Sequence, residues 1–280
     1  MIDDANDLTL GSVAAGGTFA VDLVSGSLTG AQTINVTGAT TLDAGGTSTT
    51  ANDISLTGPA NDFSSVIITG GGDVTLVDNN AITLNTANVG GTYSVTAGTS
   101  LTIAGAVSAA DASFDASGGA GQLTDTGTGS VNVSGATTLA GETTDDIVLD
   151  AANNEIATLA VMKWRQRDDR RQQRGSGPQR VDDLGRCRYN DQRHNHPGGA
   201  LSVGGTSTFD SGDNDITLSH EDNIFTGGVT FTGLTSASNL EVFDETALAL
   251  QSGLSVNNLT VTADGITQSG PDHSGRDWQP

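Results

Sequence analysis

Three stretches of this chain repeat one another, and a chain that repeats itself builds its core by stacking copies of one small unit. The first reads Val36-Thr-Gly-Ala-Thr-Thr-Leu42, then Asn52-Asp-Ile-Ser-Leu56, then Asn61-Asp-Phe63. The second reads Val133-Ser-Gly-Ala-Thr-Thr-Leu139, Asp145-Asp-Ile-Val-Leu149, Asn153-Asn154. The third reads Val203-Gly-Gly-Thr-Ser-Thr-Phe209, Asn214-Asp-Ile-Thr-Leu218, Asp222-Asn-Ile-Phe225. A further pair matches Asp73–Leu84 with Asn239–Leu250. Unit starts lie 97 and 70 residues apart, from Val36 to Val133 to Val203. One solenoid coil takes roughly 20–30 residues, so each long unit holds three or four coils.

Within a unit the apolar residues alternate with Thr or Ser: Ile54-Ser-Leu56, Val74-Thr-Leu76, Ile82-Thr-Leu84, Leu101-Thr-Ile103, Leu259-Thr-Val261. Period-2 alternation predicts half-buried strands. The runs end at Gly-Gly, Asn-Asp, Asp-Gly or Asn-Asn, residues that tolerate a left-handed backbone and turn the chain. The expected fold is all-β, a parallel β-helix (β-solenoid), with Val, Leu and Ile stacked inward and Asn and Asp laddered at the corners. A β-sandwich array is the alternative, but its strands run longer and its core holds more aromatics.

Composition supports the same reading. The chain has 280 residues, 38 of them Gly, with 4% aromatic and 16% charged residues, where an average globular chain carries about 25% charge. Low bulk with a formal net charge of −22 is also the composition of disordered chains. The ordered spacing of the apolar residues favours the folded reading. Of the 11 Lys and Arg, ten lie between Lys163 and Arg193 and the last is Arg276. A body without cations is a poor partner for nucleic acid, whose phosphates call for Lys and Arg. The single cysteine, Cys187, forms no internal disulfide, and no run reaches the length of a membrane-spanning helix. Met1-Ile2-Asp3-Asp4 lacks the basic and apolar regions of a signal peptide.

The Gly-Ala-Thr-Thr-Leu, Asn-Asp-Ile-Thr-Leu and Val-Thr-Leu-x-Asp-x-Asn-Ala-Ile-Thr-Leu types of motif, over roughly 230 residues, resemble the repeats of large bacterial exoproteins related to filamentous haemagglutinin. That resemblance implies a right-handed parallel β-helix in a secreted adhesin, outer-membrane associated in its full-length form. The N-terminal secretion domain of such exoproteins has no counterpart here. The chain also opens inside a repeat, since Ile2–Leu10 with Gly16-Gly-Thr-Phe19 parallels Val77–Leu84 with Gly90-Gly-Thr-Tyr93. It therefore reads as a fragment begun at an internal methionine.

Four regions follow: repeats over 1–162, a basic interruption over 163–197, repeats over 198–270, and a non-native tail over 271–280. Shifted by one base, the codons of Gln166–Gly175 permit Asn-Val-Thr-Ile-x-Asp-Asn-Asn-Ala, the Asp73–Ala81 motif. The spacing agrees: Gln166 follows Val133 by 33 residues, as Asp73 follows Val36 by 37 and Asn239 follows Val203 by 36. The codons of Pro271–Pro280, shifted alike, permit a relative of Ser100–Gly105. Both stretches are expected to be frameshift products. A genuine basic insert binding nucleic acid, heparin or a metal is the other reading.

Asp210, Asp213 and Asp215 give carboxylates at a density that calcium can use, without the Gly and distal Glu of a helix–loop–helix site. Gly70-Gly-Gly-Asp73 resembles one glycine-rich calcium repeat but does not recur in tandem. Solvated turn carboxylates are the expected reading of both. Cys187 with His194 and His196 is a weak zinc half-site. His220, near Asp222, is expected to be exposed. Parallel β-helices include polysaccharide lyases and hydrolases, yet this body has no Lys or Arg to tune a general base or hold an acidic sugar. Paired acids alone serve some glycosidases, but here such pairs recur from unit to unit, as corners do. Ice binding would need strict Thr-x-Thr ranks, and Thr47-Ser-Thr-Thr50 has no fixed period. The expected function is non-enzymatic: a secreted or cell-surface rod meeting host or matrix glycans or other surface proteins. The alternative is a calcium-stabilised surface-layer or biofilm matrix protein.

Overall fold

In the computed structural model, residues 1–46, 52–119, 121–142, 147–149, 151, 154–164, 187–189 and 201–269 are described, with backbone alone at 163–164, 187–189 and 269. They form 26 strands and no helix. The strands are parallel and stack as a β-solenoid of about ten coils. Twenty-two strands join into one continuous sheet, and four others, led by Cys187–Tyr189 and Ile216–Leu218, form a second.

Register accounts for the repeat lengths. One inward rank runs Leu56, Leu76, Val95, Phe114, Leu139, Val161, Phe209, Phe231, each residue paired directly with the next. All eight are buried. Steps along it are 19 to 25 residues, except from Val161 to Phe209, which takes 48. The ladder thus continues in register from Val161 to Phe209, across the basic interruption. A second rank runs Val133, Ile156, Val203, Phe225 across the same junction.

The β-branched and leucine residues fill the interior because period 2 turns every second side chain inward and each coil repeats the pattern. Phe209 stacks on Phe231 at 5.9 Å and meets Phe225 edge-on at 6.0 Å. Tyr93 meets Phe114 edge-on at 5.7 Å. Strand Glu155–Trp164 continues two residues past the repeat pattern, pairing Lys163 with Gly141 and Trp164 with Glu142. The backbone of Cys187–Tyr189 lies parallel to Ile216–Leu218, so part of the basic stretch forms a rung.

Candidate functional site

The corners carry the polar chemistry. Asn61, Asn154 and Asn223 each stand five residues after a core leucine (Leu56, Leu149, Leu218) and are buried. Each accepts a backbone N–H from the coil before: Ile34 to Asn61 at 2.9 Å, Val131 to Asn154 at 2.8 Å, Leu201 to Asn223 at 2.9 Å. Asn61 and Asn223 donate back to the carbonyls of Leu56 and Leu218, both at 3.2 Å. A corner must leave some backbone amides without a strand partner, and a buried amide left unpaired is costly. Asparagine, with both a donor and an acceptor, satisfies both sides of such a corner.

Carboxylates do the same work nearer the surface. The Asp7 carboxylate accepts the Ser27 N–H at 2.7 Å, Asp53 that of Asp73 at 2.9 Å, and Asp73 that of Thr92 at 2.7 Å. Asp111 accepts from Ala136 and Asp215 from Asn239, both at 2.7 Å. Each bond reaches one coil ahead. Ladders of Asn and Asp at the corners were expected, but Asp73 and Asp215 were read as solvated turn carboxylates, because the sequence shows Asp near glycine and not which amide the next coil presents.

The calcium candidates separate accordingly. Asp210 accepts the Gly212 N–H at 3.1 Å within its own turn. Asp215 holds the next coil, accepting from both the backbone and the side chain of Asn239. Asp213 takes a left-handed backbone (φ 73°) and donates its N–H to the Gly233 carbonyl. Among the described residues, no three His, Cys, Asp or Glu side chains gather closely enough to hold a metal ion. Asp73, of the glycine-rich stretch, is one of the inter-coil acceptors. Residues His194 and His196, and the side chain of Cys187, lie outside the described residues, as do most of the stretch 163–197 and the tail 271–280.

His220 is not exposed as expected: only 14% of its side chain is open. Its Nδ1 accepts the Asp222 N–H at 3.1 Å and its carbonyl accepts the Asn223 N–H, so the ring folds into the turn before the buried corner. The Asp222 carboxylate is 3.9 Å away, too far to compete with that bond.

Asp78 and Asp244 occupy the same place in their two matching motifs. Both are buried, and each accepts the N–H of the phenylalanine two residues past a corner asparagine: Phe63 to Asp78 at 2.6 Å, Phe225 to Asp244 at 3.2 Å. Desolvation holds the Asp78 carboxyl above the ordinary aspartate range, offset in part by the N–H groups of Phe63 and Asn80 and reinforced by the charge of Asp62. Burial likewise pushes the Tyr93 phenol up.

Outside, one rank of small hydroxyls runs from Thr9 to Thr230. Thr9, Thr29, Ser55, Thr75, Ser94, Ser113 and Thr138 pair in turn, Ala160 interrupts, and Thr208 and Thr230 follow. The neighbouring outward positions are mixed, including Val77, Asp115 and Met162, so a double Thr-x-Thr rank is absent. Phe63, Tyr93, Phe114, Phe209, Phe225 and Phe231 are buried, leaving Phe19 and Phe243 half-buried among the described aromatics. A gap bordered by Leu149, Leu159, Val161, Phe209 and Leu218 is lined by apolar side chains and offers no reactive group.

Residues 1–70, 71–127, 119–162 and 192–232 match a family described as repeats of unknown function (DUF5649). No curated protein and no solved structure matches the chain.

Proposed function

The chain belongs to the family of DUF5649 repeats, and from that premise we propose that it is a non-enzymatic structural and adhesive segment of a large secreted or cell-surface bacterial repeat protein. The observation that carries this reading is the division of labour between inside and outside. The described coils place most of their apolar and aromatic bulk in the core, while one outer rank repeats small hydroxyls in register from Thr9 to Thr230, broken at Ala160. Such a face offers the same weak contact many times, and many weak contacts sum to firm attachment when geometry lets them engage together. With most of the described aromatic rings buried, sugars would be met chiefly by hydrogen bonds from Ser, Thr and Asp. The corner carboxylates are engaged with backbone amides, which suits a scaffold and not a pair of catalytic acids.

The test is retention of the purified chain on immobilised extracellular polysaccharides, matrix proteins and cell surfaces, with the same polysaccharides assayed for cleavage. Retention that weakens when Thr75, Ser94 and Ser113 are together changed to valine supports an adhesive face. Release of oligosaccharide products would replace the reading with an enzyme. A melting temperature that depends on calcium would favour the matrix-protein alternative.

A further inference from the structure

We propose that Asn35 and Asn132 are acceptors for N-linked sugar, each in an Asn-x-Ser/Thr triplet that folding sets on the outer face of the solenoid. The triplets are Asn35-Val36-Thr37 and Asn132-Val133-Ser134. Such a triplet is an acceptor when its amide and its hydroxyl can both be reached. Strand alternation supplies that here, because residues two apart point to one face, about 7 Å from each other. In both triplets the asparagine and the hydroxyl residue are exposed, and the valine between them is buried.

The two stand at the same place in two repeat units, directly before Gly-Ala-Thr-Thr-Leu. In each, the ladder register shifts just past the valine, between Val36 and Ala39 and between Val133 and Ala136. Thr37 and Ser134 fall in that break, where a strand bends and its side chains are re-aimed. The fold also leaves the two amides largely unused. Nδ2 of Asn35 lies 3.5 Å from the Asp62 carboxylate, and that of Asn132 3.5 Å from Glu155, the outer limit of a hydrogen bond. The corner asparagines differ on each count. Asn61, Asn154 and Asn223 are buried, hold backbone amides, and have Phe63, Ile156 and Phe225 two residues on. The third unit has Ser202-Val203-Gly204 at this place and offers no acceptor. In a further triplet, Asn258-Leu259-Thr260, the amide donates to the Asn239 side chain at 2.7 Å, so it is not assigned.

The step joins Nδ2 to C1 of a sugar carried on a pyrophosphate, the linkage that nucleotide sugars and lipid-linked sugars share. The C1–O bond breaks, the pyrophosphate leaves with its electron pair, and one amide proton passes to the transferring enzyme.

The experiment takes the chain from its own cells and cleaves it beside acidic residues, since residues 1–162 hold no Lys or Arg for trypsin. Peptides containing Asn35 and Asn132 are expected to carry added hexose or N-acetylhexosamine mass, and a bare residue at either position overturns its assignment. Thr37→Ala is expected to abolish the sugar at Asn35, keep that at Asn132 and leave the melting temperature unchanged. Sugar persisting at Asn35 in this variant overturns the triplet as the signal. Label passed from tritiated UDP-glucose by a soluble extract of those cells supports a nucleotide sugar as donor, and label that needs their membranes supports a lipid-linked one. Attachment to surfaces enters none of these readouts, so their failure and that of the adhesive reading are separate.

Discussion

The side-chain amide of Asn154 donates to the Asp125 carboxylate at 2.8 Å, from 29 residues further along the chain. The same asparagine accepts the N–H of Val131, and the same carboxylate accepts that of Ala151 at 3.1 Å. A four-membered polar link thus sits inside an apolar stack. Asn154→Ala leaves the Val131 amide buried without an acceptor and is expected to cost about 1–3 kcal/mol. Asn154→Asp should cost more, since it sets a second carboxylate against Asp125. Urea unfolding of the whole chain measures both, and an alanine variant as stable as wild type would remove the corner from the account.

Inward and outward neighbours on one strand should differ sharply. Phe114 is fully buried in the inward rank, whereas Ser113 belongs to the outer hydroxyl rank. Phe114→Ala is expected to lose about 3–5 kcal/mol, because the rings and leucines around it close the void only in part. Ser113→Ala should stay within about 0.5 kcal/mol. Similar losses from the two would mean that the strand's faces are misassigned.

Two glycines separate backbone strain from steric contact. Gly26 has φ +99° and a Cβ there would lie 2.5 Å from the Asn6 carbonyl carbon on the coil before. Gly46 has φ +117° with nothing within 4 Å of that position. Gly26→Ala must therefore force the coils apart as well as strain the backbone, while Gly46→Ala pays strain alone, about 1 kcal/mol or more. Thermal melting should place the Gly26 variant well below the Gly46 variant.

The 48-residue step from Val161 to Phe209 implies that most of the basic stretch is dispensable to the ladder. The turn from Asp210 to Ile216 links the same two faces with five residues, Ser211–Asp215. Replacing residues 165–186 by that turn is expected to give a chain that melts no lower than wild type. A large loss would show that the stretch supplies core contacts. If the frameshift reading is right, the gene of an intact relative should carry a repeat in its place.

Much of the architecture was legible from the sequence. Ile54-Ser-Leu56, Val74-Thr-Leu76 and Leu101-Thr-Ile103 each alternate, and each is a strand with its apolar residues buried and its hydroxyl outward. Alternation is a local property, so it survives whatever the coils do next. The inter-coil work of Asp53, Asp73, Asp111 and Asp215 was not legible, because their partners lie 19 to 25 residues away and coil length varies. His220 was misjudged for a related reason: only the folded turn brings its ring against the Asp222 amide.

By itself, then, the sequence determined that this chain is all strand and corner, that its units repeat, and that its body is acidic with its cations confined to one stretch and the tail. Those are consequences of residue type and short-range period, which each residue carries with it. Tertiary structure decided which coil sits on which, and so which carboxylate receives which amide. It also aligned Thr9 through Thr230 as one outer rank and paired Val161 with Phe209 across the basic interruption. The physical reason is that parallel stacking fixes neighbours by hydrogen-bond register between coils, and register is a property of two strands at once.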